Sequence, residues 1–275
     1  MPFTLSHAAA VLPGIRRDGA ARGPLIASAL VAGSFSPDMT YFAASFVPAA
    51  MPFGDVTHSV VGVVTVDVLI TAVLAGLWLL LREPVVALLP RGWQGRVHAF
   101  VRGQSWRGAR LPSSAWRFAL SAAIGASTHV FWDTFTHLDR WGMKVLPVLG
   151  EIVAGFPVYL YLQYGGSAVA LVVIVWFVAS SLCRLPAAAS PPVPALDARG
   201  RWSAAALLVG CAAVGAVHRC VRWYAYHGDG TLLGLIPSAC FGAGAGLAVG
   251  LLLYATTVRL RTKSPDRLKA SLPGD

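Results

Sequence analysis

The stretch His129-Val-Phe-Trp-Asp133-Thr-Phe-Thr-His137 places three metal-competent side chains at intervals of four residues. A helix turns about 100° per residue, so each step of four drifts by only about 40° and the three share one face. Two imidazoles and a carboxylate on one stripe supply nitrogen and oxygen donors, a set that suits zinc, manganese or iron. The His-Glu-x-x-His arrangement of helical zinc proteases is absent, so the stripe points to a metal without specifying a reaction. The competing reading is a pair of histidines and a carboxylate that hydrogen-bond one another at a membrane boundary.

Other polar residues stand out against an apolar background. In Gly33-Ser-Phe-Ser-Pro-Asp38, Pro37 pushes Ser36 away from helical geometry and leaves Asp38 at a break in the chain. Asp38 is then either a ligand or the cap of the next helix. His58, after Asp55 and Thr57, opens a long apolar run; taken alone it reads as an interfacial histidine. His7 sits in Leu5-Ser-His-Ala-Ala-Ala and means little by itself. Asp67 follows His58 by nine residues, which on one continuous helix sets it about 180° away. It is expected not to share a metal with His58, but to pair with a neighbouring helix or to handle protons. His218, with Arg219 and Arg222, reads as an interfacial cluster.

The elements that carry these residues are of the membrane type. The 275 residues are 56% hydrophobic and 12% charged, with a mean hydropathy of +0.64, where a soluble domain carries about 25% charged residues. The expected class is all-α, a polytopic transmembrane helix bundle with five or six spans. Five runs approach the roughly 20 apolar residues that cross a bilayer: Val60–Leu81, Ala115–His137, Phe156–Leu182, Ser203–Val221 and Leu233–Leu260. Leu25–Ala49 is a weaker sixth, interrupted by Ser34, Ser36, Pro37 and Asp38. One membrane domain over residues 1–275 is expected, with the motifs in residues 1–155 and an apolar helical half in 156–275. Arg16 and Arg17 follow the first apolar run instead of preceding it, so the chain is expected to insert through its own spans.

The net charge of +10 belongs to loops between spans and gives no reason to expect nucleic acid as a partner. Arg82 to Arg117 holds seven arginines against one glutamate, and the tail after Leu260 is basic. With four spans between them, both stretches and the C-terminus are placed in the cytoplasm. His58 and His137 then meet at the opposite membrane face. If Leu25–Ala49 spans, His7 lies on the wrong side; if it forms a half-buried hairpin, His7 can join them. Cys183, Cys211, Cys220 and Cys240 have no Cys-x-x-Cys spacing and read as small apolar residues without a disulfide framework. Gly242, Gly246 and Gly250 mark a helix-packing face in the last span.

Taken together, Met1-Pro-Phe-Thr-Leu-Ser-His7-Ala-Ala-Ala-Val-Leu-Pro13, Gly33-Ser-Phe-Ser-Pro-Asp38, His58-Ser59, Gly125-Ala-Ser-Thr-His129 through His137, and Leu162-Gln163-Tyr164 resemble an uncharacterised bacterial integral-membrane family, the domain of unknown function 4184. The resemblance runs from Met1 to about Phe177; the remainder is similar only in being apolar. More distantly, the order His, Pro-Asp, His, His-x-x-x-Asp resembles the membrane-bound metal-dependent hydrolases of bacteria, themselves loosely similar to helical zinc phospholipase C. That likeness implies a divalent metal, with zinc expected, held by His7, Asp38, His58, His129 and Asp133; His137 extends the pattern. It also implies hydrolysis by metal-activated water, with Asp133 or Asp38 taking the proton, in the bacterial inner membrane. The partners implied are the lipid bilayer and a lipid or small-molecule substrate. A non-catalytic scaffold with a structural His/Asp cluster is the main alternative. A transporter ranks last, because only one broken helix and no internal repeat are present.

Overall fold

The computed structural model describes residues 3–102, 111–138, 140–186, 196–227 and 232–270. These are almost entirely helical. Eleven helices run in order: α1 (Ala27–Gly33), α2 (Met39–Ala43), α3 (Gly54–Thr57), α4 (Val60–Val64), α5 (Val66–Ala87), α6 (Arg91–Arg102), α7 (Leu111–Asp133), α8 (Trp141–Val145), α9 (Val158–Arg184), α10 (Ala198–His227) and α11 (Leu232–Ala270). A small antiparallel hairpin, β1 (Ile152–Val153) and β2 (Phe156–Pro157), precedes α9. The chain folds as two compact units, one built from Met1–Gly76 and Ala99–Pro186, the other from Leu77–His98 and Ala187–Asp275.

Among the described residues, four helices are long and apolar enough to cross a membrane: Val66–Ala87, Val158–Arg184, Ala198–Tyr226 and Leu233–Leu260. Two sequence expectations change here. Leu25–Ala49 is not one helix: α1 stops at Gly33, a 3₁₀ turn takes Ser36–Asp38, and α2 ends at Ala43. Neither piece is long enough to span. The helix expected over Ala115–His137 is real but ends at Asp133, and it is not among the four. Ser121, His129 and Asp133 turn polar groups into the interior of the first unit and lower the helix's apolar content. The run from Val60 is also broken, because α4 stops at Thr65 before α5 begins.

In the first unit, the amino-terminal segment is a 3₁₀ stretch over Thr4–Gly14 that buries Thr4, Ser6, His7, Ala8 and Val11. Val11 and Ile15 pack with Leu30 and Phe177 in an apolar cluster. Arg17 fastens this segment to α9. Its guanidinium donates to the Phe177 carbonyl (3.2 Å) and the Ser180 hydroxyl (2.5 Å) and lies 4.5 Å above the Trp176 ring. The effect is to hold His7 inside the unit, against α7.

Helices α1 and α7 touch backbone to backbone. A Cβ on Gly33 would lie 2.4 Å from the Ala122 carbonyl oxygen, and one on Gly125 would lie 2.3 Å from that of Leu30. No side chain fits there, so both positions need glycine. The close approach brings the end of α1 over His129.

The second unit is organised on a pairing of α10 and α11. Gly242 and Gly246 sit against the backbone of Gly215 and Cys211, the small-residue packing expected of that stripe. The four cysteines are unpaired; Cys183 is exposed and the others are half-buried, so none is the buried core residue that the sequence suggested. Within α5, Pro84 has no N–H to offer the Leu80 carbonyl one turn back. The Arg259 guanidinium donates to that carbonyl instead (2.6 Å), and the Tyr254 hydroxyl donates to the Pro84 carbonyl (2.9 Å).

Gly125→Val should therefore wedge α1 from α7 and destabilise the protein by about 1–3 kcal/mol, as overpacking does. Gly76, with open space where its Cβ would lie, should tolerate alanine with unchanged or slightly raised stability. Thermal unfolding of the detergent-solubilised variants checks the contrast.

Candidate metal centre

Four separate pieces of chain converge at the carboxyl end of α7. The Ser36–Asp38 turn brings Asp38, the end of α3 brings His58, the last turn of α7 brings His129 and Asp133, and the amino-terminal segment brings His7. One ligand atom from each of Asp38, His58, His129 and Asp133 lies within 4.8 Å of all the others. His129 is fully buried, and Asp38 and Asp133 nearly so.

The orientation of each imidazole is set from behind. His129 Nδ1–H donates to the Ser34 carbonyl at 2.7 Å, which leaves Nε2 facing the cluster. That atom lies 3.4 Å from Asp38 Oδ1 and 3.4 Å from Asp133 Oδ2, yet hydrogen-bonds to neither. His58 repeats the arrangement. Its Nδ1–H donates to the Gly54 carbonyl at 2.9 Å, and its Nε2 lies 3.8 Å from Asp38 Oδ1 and 3.9 Å from Asp133 Oδ2. Histidines that ligate metals commonly donate the far N–H to a carbonyl in this way, which fixes the tautomer and aims the lone pair. Two imidazole lone pairs and two carboxylate oxygens converging in a buried space repel one another unless a cation lies between them. The residues present therefore fit a divalent ion.

The carboxylates are also anchored. Thr4 Oγ1 donates to Asp38 Oδ2 at 2.5 Å, leaving Oδ1 turned inward. Thr136 Oγ1 donates to Asp133 Oδ1 at 3.3 Å, leaving Oδ2 turned inward. Thr57 Oγ1 donates to the Pro37 carbonyl at 2.8 Å, tying the His58 segment to the Asp38 turn. Burial resists ionisation of Asp38, but the His129 side chain 3.4 Å away holds its carboxyl down at about 2. Burial keeps the His58 imidazole below its ordinary value and His7 well below. Ionised carboxylate and neutral imidazole are the forms that bind metal.

His7 joins the site, as the half-buried hairpin alternative for residues 25–49 allows. Its ring stacks on His129 with centroids 3.5 Å apart, and its buried Nε2, without a hydrogen bond, lies 3.5 Å from Asp133 Oδ1. It stands beside the four-residue group and is not one of its members. His137 is not on the stripe imagined for it, because α7 ends at Asp133 and the chain turns away. Its Nδ1 lies 3.6 Å from Asp133 Oδ2, and its Nε2 receives the Gln163 amide N–H at 3.4 Å. The proton therefore sits on Nδ1, which donates to the Asp133 carbonyl at 3.4 Å. Its side chain is 41% exposed, the most open of the group.

Asp67 stays apart, as expected, although the face argument used for it fails: His58 ends α3 and shares no helix with α5. Asp67 is fully buried, and neither carboxylate oxygen has a hydrogen-bond partner among the described residues, so no pairing with a neighbouring helix is present. His218 lies on α10, in the second unit. The residues that sequence reasoning passed over are the supports: Thr4, Thr57, Thr136, Gln163 and the carbonyls of Ser34 and Gly54. Hydroxyls immediately before His58 and His137, and three residues before His7, were the available signal.

Fold and site together define a helical protein of the membrane-spanning type with a buried two-histidine, two-aspartate cluster. The chain belongs to the family described as a domain of unknown function (DUF4184), whose model matches residues 1–256. The family therefore extends well beyond Phe177 and includes α10 and most of α11. Neither the curated proteins nor the solved structures contain a match to this chain.

Replacing Thr4 by valine removes the anchor on Asp38 while keeping its shape. Metal affinity is expected to fall about 10–100-fold, measured by competition with a fluorescent chelator; an unchanged affinity would mean that the hydrogen bond does not orient the ligand.

Proposed function

We propose that Asp38, His58, His129 and Asp133 bind one divalent cation, and that the protein is a membrane metal-dependent hydrolase acting on a phosphoester at the headgroup level. The observation that carries the reading is the convergence of four donors with buried side chains, two of them imidazole nitrogens aimed by backbone carbonyls, of which His129 Nε2 is left without a hydrogen bond. Nitrogen and carboxylate donors in equal number suit zinc.

A bound divalent ion would supply Lewis-acid polarisation and a water of lowered pKa. The rest falls to the chain. Asp38 Oδ1, His58 Nε2, His129 Nε2 and Asp133 Oδ2 would hold the ion. Asp133 Oδ1, the carboxylate oxygen not used for the ion, would accept the proton of the attacking water, with His7 Nε2 3.5 Å away as the next acceptor. Hydrolysis forms one P–O bond to the water oxygen and breaks the bond to the leaving alcohol, and the abstracted proton returns to that leaving oxygen. His137, the most exposed of the group, borders the side from which a substrate would reach the cluster.

The headgroup location is supported by sequence proximity. His58 lies shortly before α5, and His137 is followed by the segment that leads into α9. We also read α7 as a fifth crossing. Its 23 residues extend about 35 Å at 1.5 Å each, enough for a bilayer core. That count keeps the Arg82–Arg117 stretch and the basic tail on the cytoplasmic side of a bacterial cell membrane.

A structural site is the second reading, and one observation favours it: four protein donors already complete a tetrahedral sphere, whereas catalytic zinc keeps a position open. The open His137 side favours catalysis. Purified protein loaded with zinc or manganese should hydrolyse a short-chain phospholipid or bis(p-nitrophenyl) phosphate. Asp133→Asn should lower kcat by about 100-fold or more, and Asp67→Asn should leave it within a few-fold. Stoichiometric metal with no hydrolysis of either substrate, and no exchangeable water by proton relaxation with manganese, would establish the structural reading.

A further inference from the structure

Two segments beside the metal centre expose large apolar side chains although they belong to none of the four long apolar helices. The first covers residues 46–64 and contains His58. It is made of short pieces, including α3 and α4, and turns Phe46, Met51 and Phe53 outward. Apart from the His58 imidazole, its only acidic or basic side chain is Asp55. The second follows His137 and covers residues 141–157, with Trp141, Ile152 and Phe156 exposed. Patches of this extent on a protein surface mark an interaction site.

The hairpin within the second segment is built to enter a poorly hydrated layer. Ala154 and Gly155 both have positive φ, 49° and 89°, as a tight two-residue turn requires. Its tip, Ile-Val-Ala-Gly-Phe, carries no polar side chain. The Tyr161 hydroxyl donates to the Val153 carbonyl (2.7 Å), and the Val158 N–H donates to the Glu151 carbonyl (3.0 Å), so part of the backbone is already satisfied and pinned to α9. Trp141 and Tyr161 are exposed aromatic residues of the kind that collect at membrane interfaces. Both segments run directly into helices long and apolar enough to span, α5 and α9. That continuity identifies what covers them: lipid of the leaflet those helices enter. Irregular backbone does not persist in the hydrocarbon centre, so the depth is the boundary between headgroups and acyl chains.

We propose that these segments form a lipid-immersed collar around the metal centre, and that the centre's exposed side at His137 receives an amphiphile from the leaflet instead of a solute from bulk water. The collar stands on its own; the amphiphile rests on the metal-centre reading. The test uses full-length protein with its four cysteines replaced by alanine, spin-labelled at Phe53→Cys or Phe156→Cys, in phosphatidylethanolamine–phosphatidylglycerol vesicles. A label at exposed Asp18→Cys serves as the aqueous reference. Labels at 53 and 156 should collide with oxygen in preference to a nickel chelate, at a ratio well above the reference. Met51→Cys and Ile152→Cys repeat the measurement should either first variant fail to fold. A ratio equal to the reference overturns the collar, and so does shielding from both reagents, which would show that protein or a second copy covers the face. Zinc content is measured on unlabelled protein in the same vesicles. Inserted labels without metal would keep the collar and overturn the amphiphile site.

Discussion

The hydrogen bond from His129 Nδ1–H to the Ser34 carbonyl is the contact on which the site depends. It sets one imidazole so that its Nε2 faces two carboxylates, and it exists only because α1 lies on the backbone of α7 at Gly33 and Gly125. A side chain at either glycine would lift the Ser34 carbonyl away from the ring. The close approach of these two helices thus serves to aim a single nitrogen. The rest of the first unit completes the arrangement: the Pro37–Thr57 bond joins two ligand-bearing segments, and Arg17, bound to α9, holds the segment that carries His7 and Thr4.

The chemistry of the cluster follows from what is missing between its atoms. Buried carboxylates and imidazoles normally end in hydrogen bonds. Here the inward-facing nitrogens of His7 and His129 have none, although carboxylate oxygens lie 3.4–3.5 Å away. The neighbouring His129 side chain holds the Asp38 carboxyl down at about 2, against the effect of burial. A divalent cation between the inward-facing atoms would supply a charge that all four donors can share. Asp67 is a buried carboxylate outside the cluster: it is fully buried, and neither oxygen has a hydrogen-bond partner among the described residues.

Much of this was legible in the sequence, and the misses have physical causes. The membrane-type helices follow from composition and length, which tertiary contacts do not alter. His129 and Asp133, four residues apart, remain neighbours because α7 continues through both; His137 does not, because the helix ends between. The broken stretch at Gly33–Asp38 left two readings, spanning or folding back, that no local pattern separates. Their resolution needed the packing of Leu30 with Val11, Ile15 and Phe177, a contact between residues far apart in sequence. The supporting threonines were invisible as supports because a hydroxyl beside a histidine is common, and only the fold shows which carboxylate or carbonyl it meets.

X-ray absorption at the zinc edge of purified, zinc-loaded protein tests the central claim most directly. The account predicts about one zinc per chain with nitrogen and oxygen neighbours at about 2.0–2.1 Å, the outer-shell scattering of two imidazoles, and loss of bound metal in His129→Ala and Asp38→Ala. A protein that binds no divalent metal, a sulfur-containing shell, or full occupancy in both variants would contradict it.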